Sequence, residues 1–373
     1  MDYLVITDDK KEQERIGRKI VCEKPSVYSP KMLNYLKKTI DAKLKNEAVK
    51  TRENEVYRSI YHYWAFGCSV DEYLAYGFFV KSAEQIREYV SAHEKVLYLS
   101  RLNKKENAHL LNNKYEAYLL LKDYYKRDVI KIATEDDFET FLRFVEKHPE
   151  FVVKPADMAF GDGVHKASVN NLDRKGKRQF FEQLLNEAKE NVDQYWFGSE
   201  KALVLEELIE QDEHFAAFHP ESVNSVRITT IRIGEQIHVY HPWIKIGRGG
   251  QFVTSAVYGT FDAGIDEKNG VVVTPAYNED FEVYDVHPDT RIPIKGFQVP
   301  RWDEAIQLAK ELATKTPGIA YTGWDLVLTS NGWCVMEGNY HGDFMWQLFY
   351  EKGCKKEFED LIGWKIDKEF WWK

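Results

Sequence analysis

The chain has 373 residues, 44% of them hydrophobic and 30% charged, with a formal net charge of −9. That length holds two or three lobes around a substantial core, and the acidic balance excludes a nucleic-acid backbone as the main partner, which needs a basic face. No run of about 18 apolar residues is present, so no transmembrane helix is expected, and four scattered cysteines (Cys22, Cys68, Cys334, Cys354) without a CxxC pair argue against a disulfide framework or a zinc site.

Residues 1–100 read mainly as helix. Ser29-Pro30 opens a segment with Met32, Leu33, Leu36 and Ile40 near helical period, Val70-Asp71-Glu72 starts another, and Ser82-Ala83-Glu84-Gln85 is a capped start. The stretch from Glu55 to Phe66 is rich in aromatics, and the 14% aromatic content overall suits large packing units or a pocket that holds a ring. The first residues, from Met1, lack a basic start and a long apolar core and do not read as a signal peptide, which with the unpaired cysteines predicts a cytoplasmic protein. Asn103 to Asn113 is polar and reads as a connection. Lys114 to Tyr125 is a helix, Asp128 to Ile132 a short strand, and Thr134 caps a helix that ends at His148-Pro149.

Phe151-Val152-Val153 is a buried-type strand that delivers Lys154 to a loop containing Gly161, Asp162 and Gly163. Gln179 to Asn191 is helical, and Leu203-Val204-Leu205 is a strand running into Glu206-Glu207-Leu208. Ser225 to Ile233 and Gln236 to Ile246 form a hairpin around Gly234-Glu235, followed by a basic turn from Gly247 to Gly250. Val271 to Pro275 reads as a further strand, Trp302 to Thr314 as a helix, and Gly342 to Lys373 as one or two helices with an aromatic end. Strand and helix alternate from about Ile130 onward with several hairpins, which predicts an α+β or mixed α/β body behind a helical N-terminal part.

The stretch from Gly323 to Asn339 is a hairpin turning at Ser330-Asn331-Gly332. Its pairing brings Asp325 beside Glu337 and Asn339, and residues two apart on a strand share a face. Two carboxylates and an amide are the hard oxygen donors that Mg²⁺ with nucleotide phosphates needs; the same ends also suit a solvated hairpin. Lys154 at the strand end can reach a phosphate as a point charge, and the glycines of its loop let backbone N–H groups approach phosphate oxygens. The Glu206–Leu208 strand end can offer backbone groups to an adenine edge, with Glu213 downstream for ribose hydroxyls. Arg227 lies in an otherwise apolar and Thr-rich strand, where a guanidinium needs a partner or a phosphoryl group to grip, and Lys245 and Arg248 add positive charge nearby. No Walker A, Rossmann, HExxH or GxSxG pattern occurs.

Taken in order, Lys114, Val153-Lys154-Pro155 with Gly161-Asp162-Gly163, Leu205-Glu206-Glu207-Leu208, Asn224-Ser225-Val226-Arg227, Asp325 and Glu337-Gly338-Asn339 resemble the ATP-grasp superfamily, and most nearly its sugar-transfer-associated subgroup. The resemblance covers roughly residues 112–348 and implies a nucleotide held between two α/β lobes. It implies a helical region over 1–111, a lid lobe with the Lys-Pro glycine loop over 112–205, a large lobe with the metal site over 206–348 and a helical tail over 349–373. Lys114 and Lys154 would hold ATP phosphates under the Gly161–Gly163 lid. Glu206, Glu207 and Leu208 would take the adenine and Glu213 the ribose. Asp325, Glu337 and Asn339 would hold Mg²⁺. Arg227, helped by Lys245 and Arg248, would steady the transferring phosphoryl group. Many relatives carry an arginine two residues before the first metal carboxylate, where this chain has Gly323.

The implied activity is Mg²⁺/ATP-dependent joining of a carboxylate (an amino acid or similar acid) to an amine on a sugar or peptide, through an acyl phosphate. It would belong to glycan, peptide or secondary-metabolite biosynthesis. Phosphoryl transfer to a hydroxyl and a non-catalytic nucleotide-binding role in a polysaccharide pathway use the same nucleotide site and stay open, as does a homodimer.

Overall fold

The computed structural model describes residues 1–373 apart from 46, 160, 191–199, 251, 253–258, 368–369 and 373. In chain order, the helices of the first third are α1 (Lys10–Glu23), α2 (Pro30–Lys43), α3 (Val49–Phe66), α4 (Val70–Ala75), α5 (Ala83–Ile86), α6 (Ala92–Leu102), α7 (His109–Asn112) and α8 (Lys114–Tyr125). There follow β1 (Val129–Ile132), α9 (Phe138–Lys147), β2 (Glu150–Pro155), β3 (His165–Ser168), α10 (Arg174–Glu190), β4 (Leu203–Glu207), α11 (Glu213–Ala216), β5 (Ser225–Ile233), β6 (Gln236–Ile246) and β7 (Phe261–Gly264). The chain closes with β8 (Ala276–Tyr277), β9 (Val283–Tyr284), α12 (Trp302–Lys315), β10 (Tyr321–Thr329), β11 (Gly332–Asn339), α13 (Trp346–Phe349) and α14 (Lys355–Ile362). These residues divide into two compact units, Met1–Arg101 with Phe344–Lys373, and Leu102–Asp343.

The first unit is helical, and its helices start where capping chemistry dictates. Asp9 caps α1, Ser29 caps α2 ahead of Pro30, and Ser69–Glu72 and Ser82–Gln85 form reciprocal capping boxes for α4 and α5. Gly17 lets α1 lie against α3: a Cβ there would sit 2.0 Å from the Tyr57 carbonyl oxygen, so only hydrogen fits. The helix α3 buries Val56, Ile60, Tyr61 and Ala65, and with them Glu55, Arg58 and His62. Arg58 donates to Glu55, to Gln13 Oε1 at 3.1 Å and to the Phe79 carbonyl at 3.0 Å, so each nitrogen of this buried cation has a partner. The ring of His62 bonds through Nδ1 to the Arg58 carbonyl at 2.7 Å, and burial pushes its pKa down to about 3. The C-terminal segment packs into this unit. Gln347 exchanges hydrogen bonds with the backbone of Val90 (2.8 and 3.0 Å), and the indoles of Trp371 and Trp372 donate to the carbonyls of Tyr63 and Trp64.

The second unit carries two antiparallel sheets, a four-stranded one in the order β1-β4-β2-β3 and a seven-stranded one in the order β11-β10-β5-β6-β7-β8-β9. On the small sheet, Phe151, Val153, Leu203 and Leu205 meet Phe141, Val145, Phe181 and Leu184 from α9 and α10. Strand alternation therefore turns Val152, Lys154, Val204 and Glu206 to the opposite face. On the large sheet, Val226, Ile228, Trp324, Leu326 and Val335 join a core with Tyr118 and Leu121 of α8 and Trp302, Ala309 and Leu312 of α12. The Trp324 indole satisfies its donor on Thr230 Oγ1 at 2.9 Å. The residues alternating with these, Arg227 and Asp325 among them, share the sheet's other face.

The mixed α/β body with a helical N-terminal part is as the sequence predicts. Two local readings change. Residues Val271 to Pro275 make no strand, only the isolated bridges Ile265–Val272 and Val271–Gln298. Their backbone partners switch from residue to residue (Val272 N to Phe297 O, Val273 N to Gly264 O), so no ladder forms, and the sheet strand is Ala276–Tyr277 instead. The polar connection from Asn103 to Asn113 folds into a 3₁₀ turn, Lys105–Asn107, and α7.

Candidate functional site

The hairpin β10–β11 turns on Ser330-Asn331, with Thr329 opposite Gly332, whose φ of 90° suits glycine. Its strands extend further than the sequence suggests: β10 begins at Tyr321 and lies between β11 and β5. Asp325 is consequently a buried mid-strand residue. The register sets Asp325 opposite Glu337 and Gly323 opposite Asn339, with an irregularity just after Asp325. Asn339 donates Nδ2 to the Gly323 carbonyl at 3.3 Å and to Asp325 Oδ2 at 3.4 Å, and its Oδ1 accepts no hydrogen bond among the described residues. Glu337 makes no hydrogen bond or ion pair among the described residues. The register thus sets three oxygen-donor side chains on one face of this hairpin, a donor set suited to a hard divalent cation.

Asp325 is engaged from its other neighbours. Arg227, its partner on β5, grips it with Nε at 2.5 Å and Nη2 at 2.8 Å, and Lys245 on β6 approaches at 3.5 Å. Burial alone would raise Asp325, but Arg227 and Lys245 outweigh it and hold the carboxyl at about 2. The Arg227 guanidinium also lies 3.5 Å from Asp343 and over the Trp243 ring. Gly323 leaves this side chain room: a Cβ there would sit 3.0 Å from Arg227 Cδ and 3.3 Å from Nη1. The space above Gly323 is thus filled from the neighbouring strand, by Arg227.

A second set of charges comes from the small sheet and α8. Lys154 reaches Glu206 Oε2 at 2.9 Å, as the shared face of β2 and β4 allows. Arg127, between α8 and β1, holds the same carboxylate at 2.8 Å and donates to the Val335 carbonyl of β11 at 2.7 Å, tying the small sheet to the hairpin. Burial would raise Glu206, yet Arg127 and Lys154 bring it to about 2. Lys114 opens α8 under its Asn113 cap; its N–H bonds the Ala156 carbonyl at 2.7 Å and its ammonium the Met158 carbonyl. Burial lowers the Lys114 pKa, the nearby Glu337 opposes that, and Lys154 adds to it. Lys114, Lys154, Glu206 and Glu337 are therefore one electrostatic cluster. The loop beyond Lys154 turns tightly, with Gly161 (φ 76°) and Gly163 (φ 71°) flanking Asp162 and Val164 N bonded to the Gly161 carbonyl.

Other candidates stand apart. Glu207 faces the helix side of β4 and accepts the Asp128 N–H at 3.0 Å beside His148. Leu208 is half-buried just past the strand. Glu213 opens α11, exposed, where Asp212 and Gln211 join the turn end of the hairpin at Leu328 and Thr329. Arg248 turns to Glu279 at 3.7 Å and to the Phe261 ring, with no contact to Asp325 among the described residues. Sequence reading overlooks Arg127, Asp262 and Asp343. Arg127 carries a faint signal, an arginine ahead of an apolar strand; the other two carry none, because only the sheet register (Asp262) and the path of the chain after β11 (Asp343) bring them near Arg227.

Sequence comparison matches residues 93–361 to a family model described as sugar-transfer associated ATP-grasp. No curated protein matches. Solved structures similar to the chain include the D-alanyl-alanine synthetase A of Vibrio cholerae O1 biovar eltor, with 13% identity over 67% of this chain and 62% of that one and a TM-score of 0.40. The phosphoribosylamine–glycine ligase of Thermotoga maritima has 14% identity over 71% and 57%, with a TM-score of 0.42. The L-amino acid ligase of Bacillus licheniformis has 15% identity over 63% and 44%, with a TM-score of 0.37. The chain spans less than two thirds of the length of each of these three, and likenesses this distant carry nothing about activity. The family match stands on its own: it runs over well more than half of the residues, including every charged group of the two clusters, and the chain belongs to the sugar-transfer associated ATP-grasp family.

Proposed function

We propose that the chain is a Mg²⁺/ATP-dependent ligase that activates a carboxylate as an acyl phosphate and passes the acyl group to an amine. The observation that carries this reading is the Glu337 carboxyl, which has no hydrogen bond or ion pair among the described residues: on its strand it is directly opposite Asp325, two residues from Asn339, and within the field of Lys114. Half-buried and without such a partner among the described residues, this side chain keeps its oxygens open to a hard cation. Asp325, Glu337 and Asn339 fit Mg²⁺ by donor type and would hold it; when bound, it offsets the charge of the nucleotide phosphates. Lys114 and Lys154 supply point charges for the same phosphates. Glu206, neutralised by Lys154 and Arg127, fixes the position of the Lys154 ammonium. The Gly161–Gly163 turn offers backbone N–H groups that can approach phosphate oxygens as a lid.

Arg227 is set to steady the phosphoryl group in transit. Phosphorylation turns the substrate carboxylate, a poor electrophile, into one with a leaving group, and the cations lower the repulsion between the two anions as they meet. An amino acid or similar acid as donor, and an amine on a sugar or peptide as acceptor, complete the proposal. The test is ADP release with Mg²⁺/ATP against pooled carboxylic acids, with hydroxylamine as trap. A hydroxamate formed from one acid pool supports the acyl phosphate. ADP release without hydroxamate, and with a stable phosphorylated product, replaces the ligase by a phosphotransferase.

A further inference from the structure

The strand β7 brings a carboxylate to the site's face that the chemistry above does not use. Asp262 is directly opposite Lys245 in the β6–β7 register, and Lys245 reaches Asp325, so Asp262 shares the face of Arg227 and Asp325. Strands lie about 4.8 Å apart, which puts β7 roughly 14 Å from β10 and one strand from Lys245 on β6. The Oδ1 atom of Asp262 is buried and accepts no hydrogen bond. No ion pair or hydrogen bond reaches its other oxygen among the described residues, while the residue as a whole stays partly open. An unsatisfied buried carboxylate is rare enough to call for an explanation.

The surrounding charges say which ligand would supply one. On this face two cations, Arg227 and Lys245, stand among three carboxylates, Asp325, Asp343 and Asp262. Arg227 and Lys245 both contact Asp325, and the former also approaches Asp343. Both cations are engaged on Asp325, toward β10, while Asp262 on β7 has no ion pair among the described residues, so that edge of the face favours a cationic group. Burial raises the Asp262 pKa, to about 6; Lys245 and Arg227 only partly oppose this, and Asp325 and Asp343 add to it.

Resting on the ligase reading, we infer that Asp262 binds the ammonium group of the acceptor, and that the acceptor therefore arrives as a primary amine in its protonated form. The occupied site places the nitrogen on the face where Arg227 and Lys245 would hold the acyl phosphate; once the ammonium has lost a proton to solvent, the nitrogen attacks the acyl carbon, the C–O bond to phosphate breaks and inorganic phosphate leaves. The inference makes Asp262 a binding residue for the acceptor and gives it no part in activating the donor acid.

The test uses the full chain, Mg²⁺/ATP and whichever acid pool yields hydroxamate. Hydroxylamine, neutral in mildly alkaline buffer, traps the acyl phosphate, and ethanolamine, protonated there, is titrated in. In the wild type ethanolamine suppresses hydroxamate formation, by occupying the acceptor site or by consuming the acyl group. In Asp262→Asn the half-suppressing concentration rises about tenfold or more, the loss expected for a hydrogen bond to a charged group. Asp262→Glu, which keeps the charge, restores most of the suppression, and melting curves show that both variants are folded. Suppression that is absent from the wild type, or equal in wild type and Asp262→Asn, overturns the inference and leaves Asp262 a counter-charge for Lys245. A wild type that forms no hydroxamate with any acid overturns the ligase reading itself.

Discussion

At the scale of residues, the site is a set of buried charges that hold one another in place, and single substitutions separate structure from chemistry. Glu206 is held by Lys154 and Arg127, so Glu206→Ala strands two cations. The expected loss is about 3–5 kcal/mol, read by urea denaturation. Glu337 makes no such bonds, so Glu337→Gln should abolish ATP turnover while its melting temperature stays that of the wild type; wild-type turnover would remove the metal assignment. Gly323→Ala tests the arrangement of Arg227. Its Cβ would press on Arg227 Cδ at 3.0 Å, a tight contact with a side chain pinned on Asp325. We expect a loss of about 1 kcal/mol together with a disproportionate fall in activity. The types of these residues are legible in the sequence. Which carboxylate each cation meets is not, since Arg227 and Asp325 are far apart in the chain and meet only through the β5–β10 register.

At the scale of elements, local chemistry is readable wherever a cap or a turn sets it. The ends of α2 and α5, the helix α8 and the β5–β6 hairpin follow from Ser29-Pro30, the Ser82–Gln85 box, apolar spacing and Gly234. The short strands β3, β7, β8 and β9 are two to four residues long, too brief for any alternation to register, and exist because a neighbouring edge supplies their hydrogen bonds. The contact of α1 with α3 gives an element-level prediction. Gly17→Ala sets a methyl 2.0 Å from the Tyr57 carbonyl, a backbone atom that cannot swing aside. The helices must part, at an expected cost of about 3 kcal/mol in thermal unfolding, the upper end for overpacking.

At the scale of the whole molecule, the response to acid differs between the two units, and its sign follows from their buried groups. In the helical unit, His62 has a folded value of about 3 against an ordinary 6.5, so the unfolded chain binds more protons and stability falls as pH drops through that window. Burial raises Glu72 from 4.5 to about 7, partly offset by the N–H groups of Ser69 and Ala92 that it accepts; stability then rises as pH drops from 7 to 4.5. The two slopes oppose each other from pH 6.5 to 4.5 and nearly cancel, and below 4.5 the Glu72 slope ends while that of His62 continues. A nearly flat stability profile with a fall below pH 4.5, and loss of that fall in His62→Phe, is the expected result from denaturant titrations read on this unit. In the sheet unit, Glu206 and Asp325 are held at about 2, so their contribution is complete above 4.5 and is lost as pH falls toward 2.

The sequence by itself determined the family, the alternation of helix and strand, and the residue types able to bind phosphates and a divalent cation. Each of these rests on local pattern: Lys-Pro with its glycines, the acidic strand end, Asp325 and the Glu337-x-Asn339 return. Tertiary structure alone decided that Glu206 and Glu207, adjacent in the chain, face opposite sides of β4, that Arg227 fills the space above Gly323, and that Asp262 shares a face with Asp325. The reason is common to all three: a strand's side chains alternate, so their company is set by sheet order and register, and these depend on every neighbouring strand at once.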